Sequence, residues 1–413
     1  QMKTIGIISE YNPFHNGHKY HIEAARHEFA ADNIICIMSG NFVQRGEPAI
    51  LDKWSRAEMA LLNGADLVLE LPFVYSCQPA DIFAFGAVNI LNNLGIVDGI
   101  CFGSELGSTE SLWEVAKLLL TEPEDFSRLV KQHLSSGNTY PRSISLALAA
   151  YYRDHASMLP EIWENPNNVL GIEYIKAILR LDSPMEAYTI KRVANHYNDT
   201  EITQPIASAT AVRQELHVSG ISKKLLTSMP CDAAAILERE LAAGRGPIQW
   251  KSLEEILLYR LRTMSPENIK SYISISEGLE HRIKKSSLSA CGIDELMEGI
   301  KTKRYTRAFI QRLLCHILLD LKWEKSLGFK QSGTPSYARV LGFNDKGKAL
   351  LRKIIDTSPY PVINKVASFK TNDPVLEGMF QYDLRATDIY NLARPNTMYK
   401  KGGEDFLTSP CYI

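Results

Sequence analysis

Short runs of β-branched and aliphatic residues alternate with segments of helical apolar spacing through the first half of the chain, and this alternation constrains the fold more than any other feature. The runs are Thr4–Ser9, Asn33–Ser39, Leu67–Leu71, Ile96–Phe102 and Glu186–Lys191. Between them, His18–Phe29, Lys53–Asn63, Asp81–Leu94, Thr109–Leu120 and Val169–Leu181 carry the apolar stripe of helices that cover a sheet. Parallel strands need such crossover helices, so the pattern predicts an α/β fold built on a Rossmann-like parallel sheet.

After about Ile221 the alternation stops. Helical spacing at Ser252–Thr263, Ile269–Tyr272, Gly278–Lys285, Ile293–Thr302 and Thr306–Leu319 predicts a mainly α-helical region. A small α/β element is expected within it, over Ser336–Leu341, Lys346–Ile355 and Val362–Ile363. A chain of 413 residues exceeds what one core usually serves. Residues 2–220 and 221–413 are therefore expected to form two domains.

With 45% hydrophobic and 23% charged residues, the chain reads as globular rather than disordered or fibrous. It contains no uninterrupted apolar stretch of membrane-spanning length, and a cytoplasmic location is expected. The seven cysteines are scattered, with no C-x-x-C, so neither a disulfide framework nor a zinc knuckle is indicated. A net charge of -1 leaves a nucleic-acid partner to be judged from where the basic residues cluster.

The first strand runs into ISEYNPFHNGHKYHIEAA, Ile8–Ala25, which sits where open parallel sheets bind ligands, at a strand's carboxyl end and a helix N-terminus. Unpaired N–H groups and the helix dipole suit a phosphate there. Gly17 lets the backbone approach it, His15 and His18 can add ring N–H donors, Pro13 fixes the turn, and Asn12 can bond the backbone locally. His15, His18 and His21 are close in sequence, but no Cys or carboxylate is spaced as in H-E-x-x-H, so no metal site is predicted. Further on, IASATAVRQEL (Ile206–Leu216) places Ser208 and Thr210 at a helix start with Arg213 one turn later, a second phosphate clamp.

Strand, N-P-F-H-N-G-H and helix resemble the H-x-G-H signature of the nucleotidylyltransferase superfamily, and IASATAVRQEL resembles its late motif. In order and spacing, EYNPFHNGH, MSGNFVQRGEPAILDKWSRAEMAL, GADLVLELP, CFGSE, NNVLGIEY and SATAVR closely resemble the bacterial tRNA(Met) cytidine acetate ligase family. The resemblance is dense over about the first 220 residues and extends through the helical half. It implies a two-step reaction in which ATP and acetate give acetyl-adenylate and pyrophosphate, and the N4 amine of the wobble cytidine in elongator tRNA(Met) then takes the acetyl group. It also implies an ATP site made of Ile8, Ser9, Glu10, Tyr11, Asn12, Pro13, Phe14, His15, Asn16, Gly17, His18, Lys19, Tyr20 and His21, with Gly103, Asn168 and Arg192.

Acetate is a poor electrophile until adenylated, and attack on the α-phosphorus gathers negative charge, so the site needs fixed donors rather than a protein nucleophile. His15, His18 and Arg213 are the expected catalytic residues, with Ser208 and Thr210 on the phosphates and Mg²⁺ arriving on ATP. No G-x-x-x-x-G-K-[ST] loop is present. SGNFVQRGEPAILDKWSR (Ser39–Arg56) follows the second strand; Gly40 and Asn41 are expected to line an acetate pocket, with Arg45, Lys53 and Arg56 supplying positive charge.

For the RNA, GIKTKRYTRAFIQRLL (Gly299–Leu314) carries Lys301, Lys303, Arg304, Arg307 and Arg312, interleaved with Tyr305 and Phe309. Cations hold phosphates and aromatic rings stack on splayed bases. HRIKKSS (His281–Ser287) adds a second basic cluster. No obligate protein partner is evident. Two other readings fit a phosphate site: a small-molecule adenylyltransferase, which leaves nearly half the chain without a task, and a nucleotide-sensing RNA-binding protein without turnover.

Overall fold

The computed structural model describes residues 2–153, 162–163, 165–192, 202, 206–274 and 277–413. Its strands are β1 (Thr4–Ser9), β2 (Asn33–Ser39), β3 (Phe42–Val43), β4 (Glu47–Pro48), β5 (Leu67–Leu71), β6 (Gly99–Ser104), β7 (Glu186–Lys191), β8 (Ala338–Phe343), β9 (Val362–Ile363) and β10 (Cys411–Tyr412). The helices up to residue 220 are α1 (Asn16–Glu28), α2 (Lys53–Leu62), α3 (Phe73–Ser76), α4 (Ala80–Asn93), α5 (Glu110–Thr121), α6 (Glu124–Ser135), α7 (Tyr140–Tyr151), α8 (Pro166–Arg180) and α9 (Ala209–Ser219). Beyond it come α10 (Lys223–Thr227), α11 (Cys231–Ala242), α12 (Glu254–Thr263), α13 (Pro266–Lys270), α14 (Leu279–Ser289), α15 (Ile293–Ile300), α16 (Arg307–Leu319), α17 (Trp323–Gln331), α18 (Asp345–Thr357), α19 (Pro374–Leu392) and α20 (Glu404–Leu407).

The predicted runs pair as a parallel sheet in the order β5-β2-β1-β6-β7. Thr4 lies opposite Asn33, and Ile5 opposite Gly99. The chain winds outward on one side of β1 and then crosses to the other, so the loops leaving β1 and β6 diverge and open a crevice at their carboxyl ends. All seven residues of β2 are buried, which is why this strand reads as a continuous apolar run rather than an alternating one. Ile35 and Ile37 join Leu69, Leu91 and Ile100 on one face, and Ile34, Cys36 and Met38 join Ile5, Ile7 and Ala25 on the other.

The helical region is present as expected, but its α/β tail does not stand apart. β8 pairs antiparallel with β5, and β9 and β10 pair parallel with β8, so the tail extends the sheet of the first half. The apolar run ARVLGF supplies that edge with five buried residues in succession. The apolar cluster under α4, α5 and α8 likewise continues into α12, α16 and α19. Among the described residues no helix is long and apolar enough to cross a membrane.

Candidate active site

The crevice at β1 and β6 is a cavity of two adjoining lobes, and both are lined by His15, His18, His21, Gly103, Arg192 and Ser208. Two helix N-termini face it. His15 is the N-cap of α1: its Nδ1 accepts from the Gly17 N–H at 3.0 Å, and His18 Nδ1 accepts in return from the His15 N–H at 3.2 Å. This is a capping box made of two imidazoles. Across the cavity Ser208 caps α9 by accepting from the Ala211 N–H at 3.0 Å, and Ala209 and Thr210 share the wall.

Because each Nδ1 accepts, each neutral ring carries its proton on Nε2, as a donor at the cavity both rings line. Burial keeps them neutral: it drives His15 down to about 3, with Arg192 and Arg213 adding to the effect, and holds His18 well below the ordinary histidine range. The two rings stack with centroids 3.7 Å apart, and Tyr11 and Phe14 pack on His18 at 4.9 and 5.5 Å. Gly17 serves this arrangement directly: a Cβ there would lie 2.9 Å from His15 Cε1. His21 differs. Burial lowers it to about 4, it hydrogen-bonds the Cys101 backbone, and its Nε2 is buried without a partner among the described residues.

Arg213 donates from Nη1 to the Asn12 carbonyl at 2.8 Å and from Nη2 to Thr210 Oγ1 at 3.4 Å, tying the late motif to the first loop. Asn12 Oδ1 in turn accepts from the Ile50 N–H at 2.8 Å. Glu10, pushed up by burial, accepts from the Gln44 N–H at 2.9 Å. Of the stretch Ile8 to His21, the cavity is lined by Ile8, Ser9, Glu10, Tyr11, Asn12, His15, Gly17, His18, Tyr20 and His21. Pro13 and Phe14 are buried beneath it, Asn16 donates to the Thr227 carbonyl at 2.9 Å, and Lys19 is exposed beside Glu23.

Three further residues expected in the pocket also stand elsewhere. Asn168 Oδ1 accepts from the Glu105 and Leu106 N–H groups at 3.0 and 3.4 Å and pins the loop after β6; its neighbour Asn167 lines the cavity instead and accepts from Arg192 Nη1 at 3.2 Å. Gly40 and Asn41, expected around acetate, do not line it. The Gly40 carbonyl accepts from Arg56, and Asn41 is buried with Oδ1 on the Lys53 N–H at 2.9 Å and Nδ2 on Thr387 Oγ1 at 3.3 Å. Arg56 and Lys53 are wholly buried and spent within the protein. Gln44, Glu47, Phe83, Phe102, Asn167, Leu170 and Tyr174 line the cavity without having been predicted; the nearest signal was the RGEP turn, which delivers Arg45 and Glu47 to it.

The basic cluster divides. Lys301, Lys303, Arg304 and Arg307 are exposed, with Arg304 paired to Glu277, Arg307 to Asp294 at 3.7 Å and Lys301 to Glu298 at 3.4 Å. Tyr305 and Phe309 stack on each other at 5.2 Å and pack against the core rather than standing as open platforms. Arg312 turns inward, toward Arg45.

The sequence profile of the HIGH Nucleotidyl Transferase family matches residues 2–405. The chain is similar to the tRNA(Met) cytidine acetate ligase of Acetivibrio thermocellus, 43% identical over 409 residues and 98% of each chain. It is similar as well to that of Alkaliphilus metalliredigens, 39% identical over 100% of this chain and 99% of the other. Among solved structures, Thermotoga maritima TmcAL matches over the whole of both chains at 34% identity, with a TM-score of 0.95 for the apo form and 0.92 for the form bound with alpha-thio ATP.

Proposed function

The chain belongs to the tRNA(Met) cytidine acetate ligase family, within the HIGH nucleotidyl transferases, and from that premise we propose how it works as an ATP-dependent ligase. An acetate oxygen attacks the α-phosphorus of ATP and pyrophosphate leaves. The N4 amine of the wobble cytidine of elongator tRNA(Met) then attacks the acetyl carbon, AMP leaves, and the amine gives up a proton. The observation that carries this reading is the histidine capping box of α1 set across one cavity from the capped N-terminus of α9. Two neutral imidazole donors, two helix termini and Arg213 converge where the phosphates gain charge, and donors fixed before reaction need no reorganisation during it. His21, with an unpartnered ring nitrogen, suits acceptance of a nucleotide hydroxyl. Ser208 and Thr210 are assigned to the phosphates, and Gly103, Asn167 and Arg192, which line the same cavity, to the rest of the nucleotide.

Mg²⁺ belongs to this reading as a companion of ATP. Among the described residues no group of three or more His, Cys, Asp or Glu side chains is placed to hold an ion. The exposed Lys301, Lys303, Arg304 and Arg307 suit RNA phosphates, because ion pairs this open to water are worth little and exchange readily. ATP chemistry then falls to residues 2–220 and the main basic surface for tRNA to 221–413, in the cytoplasm where tRNA is. The test supplies labelled acetate, ATP and bulk tRNA and follows both acid-precipitable label and pyrophosphate. Label entering RNA only with ATP is the expected result. Turnover indifferent to acetate would point to a small-molecule adenylyltransferase, and none at all to a nucleotide sensor.

A further inference from the structure

The cavity does not end at the nucleotide. Gln44, Arg45 and Leu170 line it and also line a groove that leads away between α4, α8 and α16. Arg312 lies on this groove, brought there by close docking of α16 on the β3–β4 hairpin. Gln311 donates to Glu47 at 2.9 Å, and the Gly46 turn rests on the helix backbone so tightly that a Cβ there would come 2.3 Å from the Arg312 nitrogen. Arg312 is half-buried, and among the described residues no carboxylate pairs with it and no protein group accepts a hydrogen bond from its guanidinium. Burial disfavours its charge and Arg45 repels it, while the Cys77 thiol is its main attraction, with smaller ones from Asp81 and Cys315. The groove's other acidic groups are Glu122 and Glu173, and Glu173 is taken by Lys176 at 2.8 Å.

An arginine held in a cleft with no carboxylate on it, beside a second arginine, leaves its planar fork open to a visiting anion. Resting on the ligase reading above, we propose that Arg312, with Arg45, receives the phosphodiester that flanks the cytidine to be acetylated. The geometry favours an RNA phosphate over the phosphates of ATP. The helix termini and histidines that suit ATP lie in the cavity proper, and a nucleotide that passes its base into that cavity must leave its backbone in the groove that opens from it. Tyr140, 57% exposed, and Trp163 line the same groove and present rings to neighbouring unstacked bases.

The test replaces Arg312→Gln and, keeping the charge, Arg312→Lys. Acetate-dependent ATP–pyrophosphate exchange without tRNA should stay within about twofold of the unsubstituted protein. In Arg312→Gln the kcat/KM for tRNA acetylation should fall roughly tenfold or more, mainly through KM, and the salt dependence of tRNA affinity should lose about one unit of log–log slope. Arg312→Lys should recover part of the affinity and the full slope, and it answers the question if the glutamine variant fails to fold. Unchanged tRNA affinity and slope would overturn the proposal. So would a loss of exchange equal to the loss of acetylation, which would assign the anion to ATP or acetate. Absence of acetate-dependent exchange in the unsubstituted protein would instead strike the ligase reading itself.

Discussion

His15 caps a helix with the same imidazole that faces the cavity, so its protonation state bears on folding and on chemistry together. Its folded pKa, about 3, lies below the unfolded value, so between the two the unfolded chain binds more protons and stability falls as pH drops. Replacing His15→Asn keeps a good N-cap and removes this titration. Relative to the variant, the wild-type protein should lose up to about 1.4 kcal/mol per pH unit below pH ~6.5, measured by denaturant unfolding from pH 7 to 4. Asp383, pushed up to about 7 by burial and Glu70, works with the opposite sign, which is why the comparison must be made with a variant and not on the bare profile. His18→Ala removes the second donor and should cut acetate-dependent pyrophosphate exchange by at least about a hundredfold while leaving tRNA binding intact. Full exchange in that variant would take His18 out of the chemistry. Both histidines were legible because H-x-G-H lies in one short stretch at the end of the first strand, whereas the capping box they form was not read from it. The Asn167 and Asn168 pair was not: neighbours on a helix point about 100° apart, and only the packing of α8 against the β6 loop decides which one faces the cavity.

Elements were legible where a continuous apolar run or a single apolar stripe marks them. β1, β2, β5 and β7 fall where their apolar runs begin and end, and α4 and α8 follow their stripes. α6 and α7 were not read at all, and α19 escaped for a physical reason. Its buried side includes Asp383, Thr387 and Asn391, one turn apart, so polar residues interrupt the apolar stripe. Each has a distant partner: Asp383 accepts from the Phe73 N–H at 2.7 Å, Thr387 from Asn41 at 3.3 Å, and Asn391 donates to Glu404 at 2.9 Å. The helix therefore fixes the loops behind the site through polar contacts that no local pattern announces. The β3–β4 hairpin depends on a similar fit. Gly46 has φ +81° and packs on the α16 backbone, while its carbonyl accepts from the Trp250 indole at 2.8 Å. Gly46→Ala strains the turn and drives a methyl into that backbone, so thermal or denaturant unfolding should report a loss of about 2–4 kcal/mol. A neutral outcome would mean that α16 is not seated on the hairpin.

At the scale of the molecule, the helical half is bound to the sheet by charge as well as by strand pairing. Lys53 of α2 is wholly buried and reaches Glu70 of β5 at 2.9 Å and Asp405 of α20 at 2.8 Å; Arg339 of β8 reaches the same two carboxylates at 3.3 and 2.6 Å. Two of these residues precede residue 221 and two follow it, and the contacts between the halves, Lys53 with Asp405 and Arg339 with Glu70, cross more than 260 positions and leave no local trace. Removing one cation from such a set leaves buried negative charge uncompensated, which costs far more than the intact set contributes. Lys53→Met keeps the side chain's length and apolar stem, so its effect isolates the charge. It should destabilise the protein by about 3–5 kcal/mol at pH 8. The penalty should shrink toward pH 5, because carboxylates deprived of their cation bind protons more readily in the folded state than in the unfolded one, and stability then recovers as pH falls. Because the network and the sheet join both halves, the variant should unfold in one transition displaced as a whole, with near-ultraviolet and far-ultraviolet circular dichroism changing together. Two separated transitions, only one of them shifted, would show that residues 221–413 fold independently of the sheet they complete.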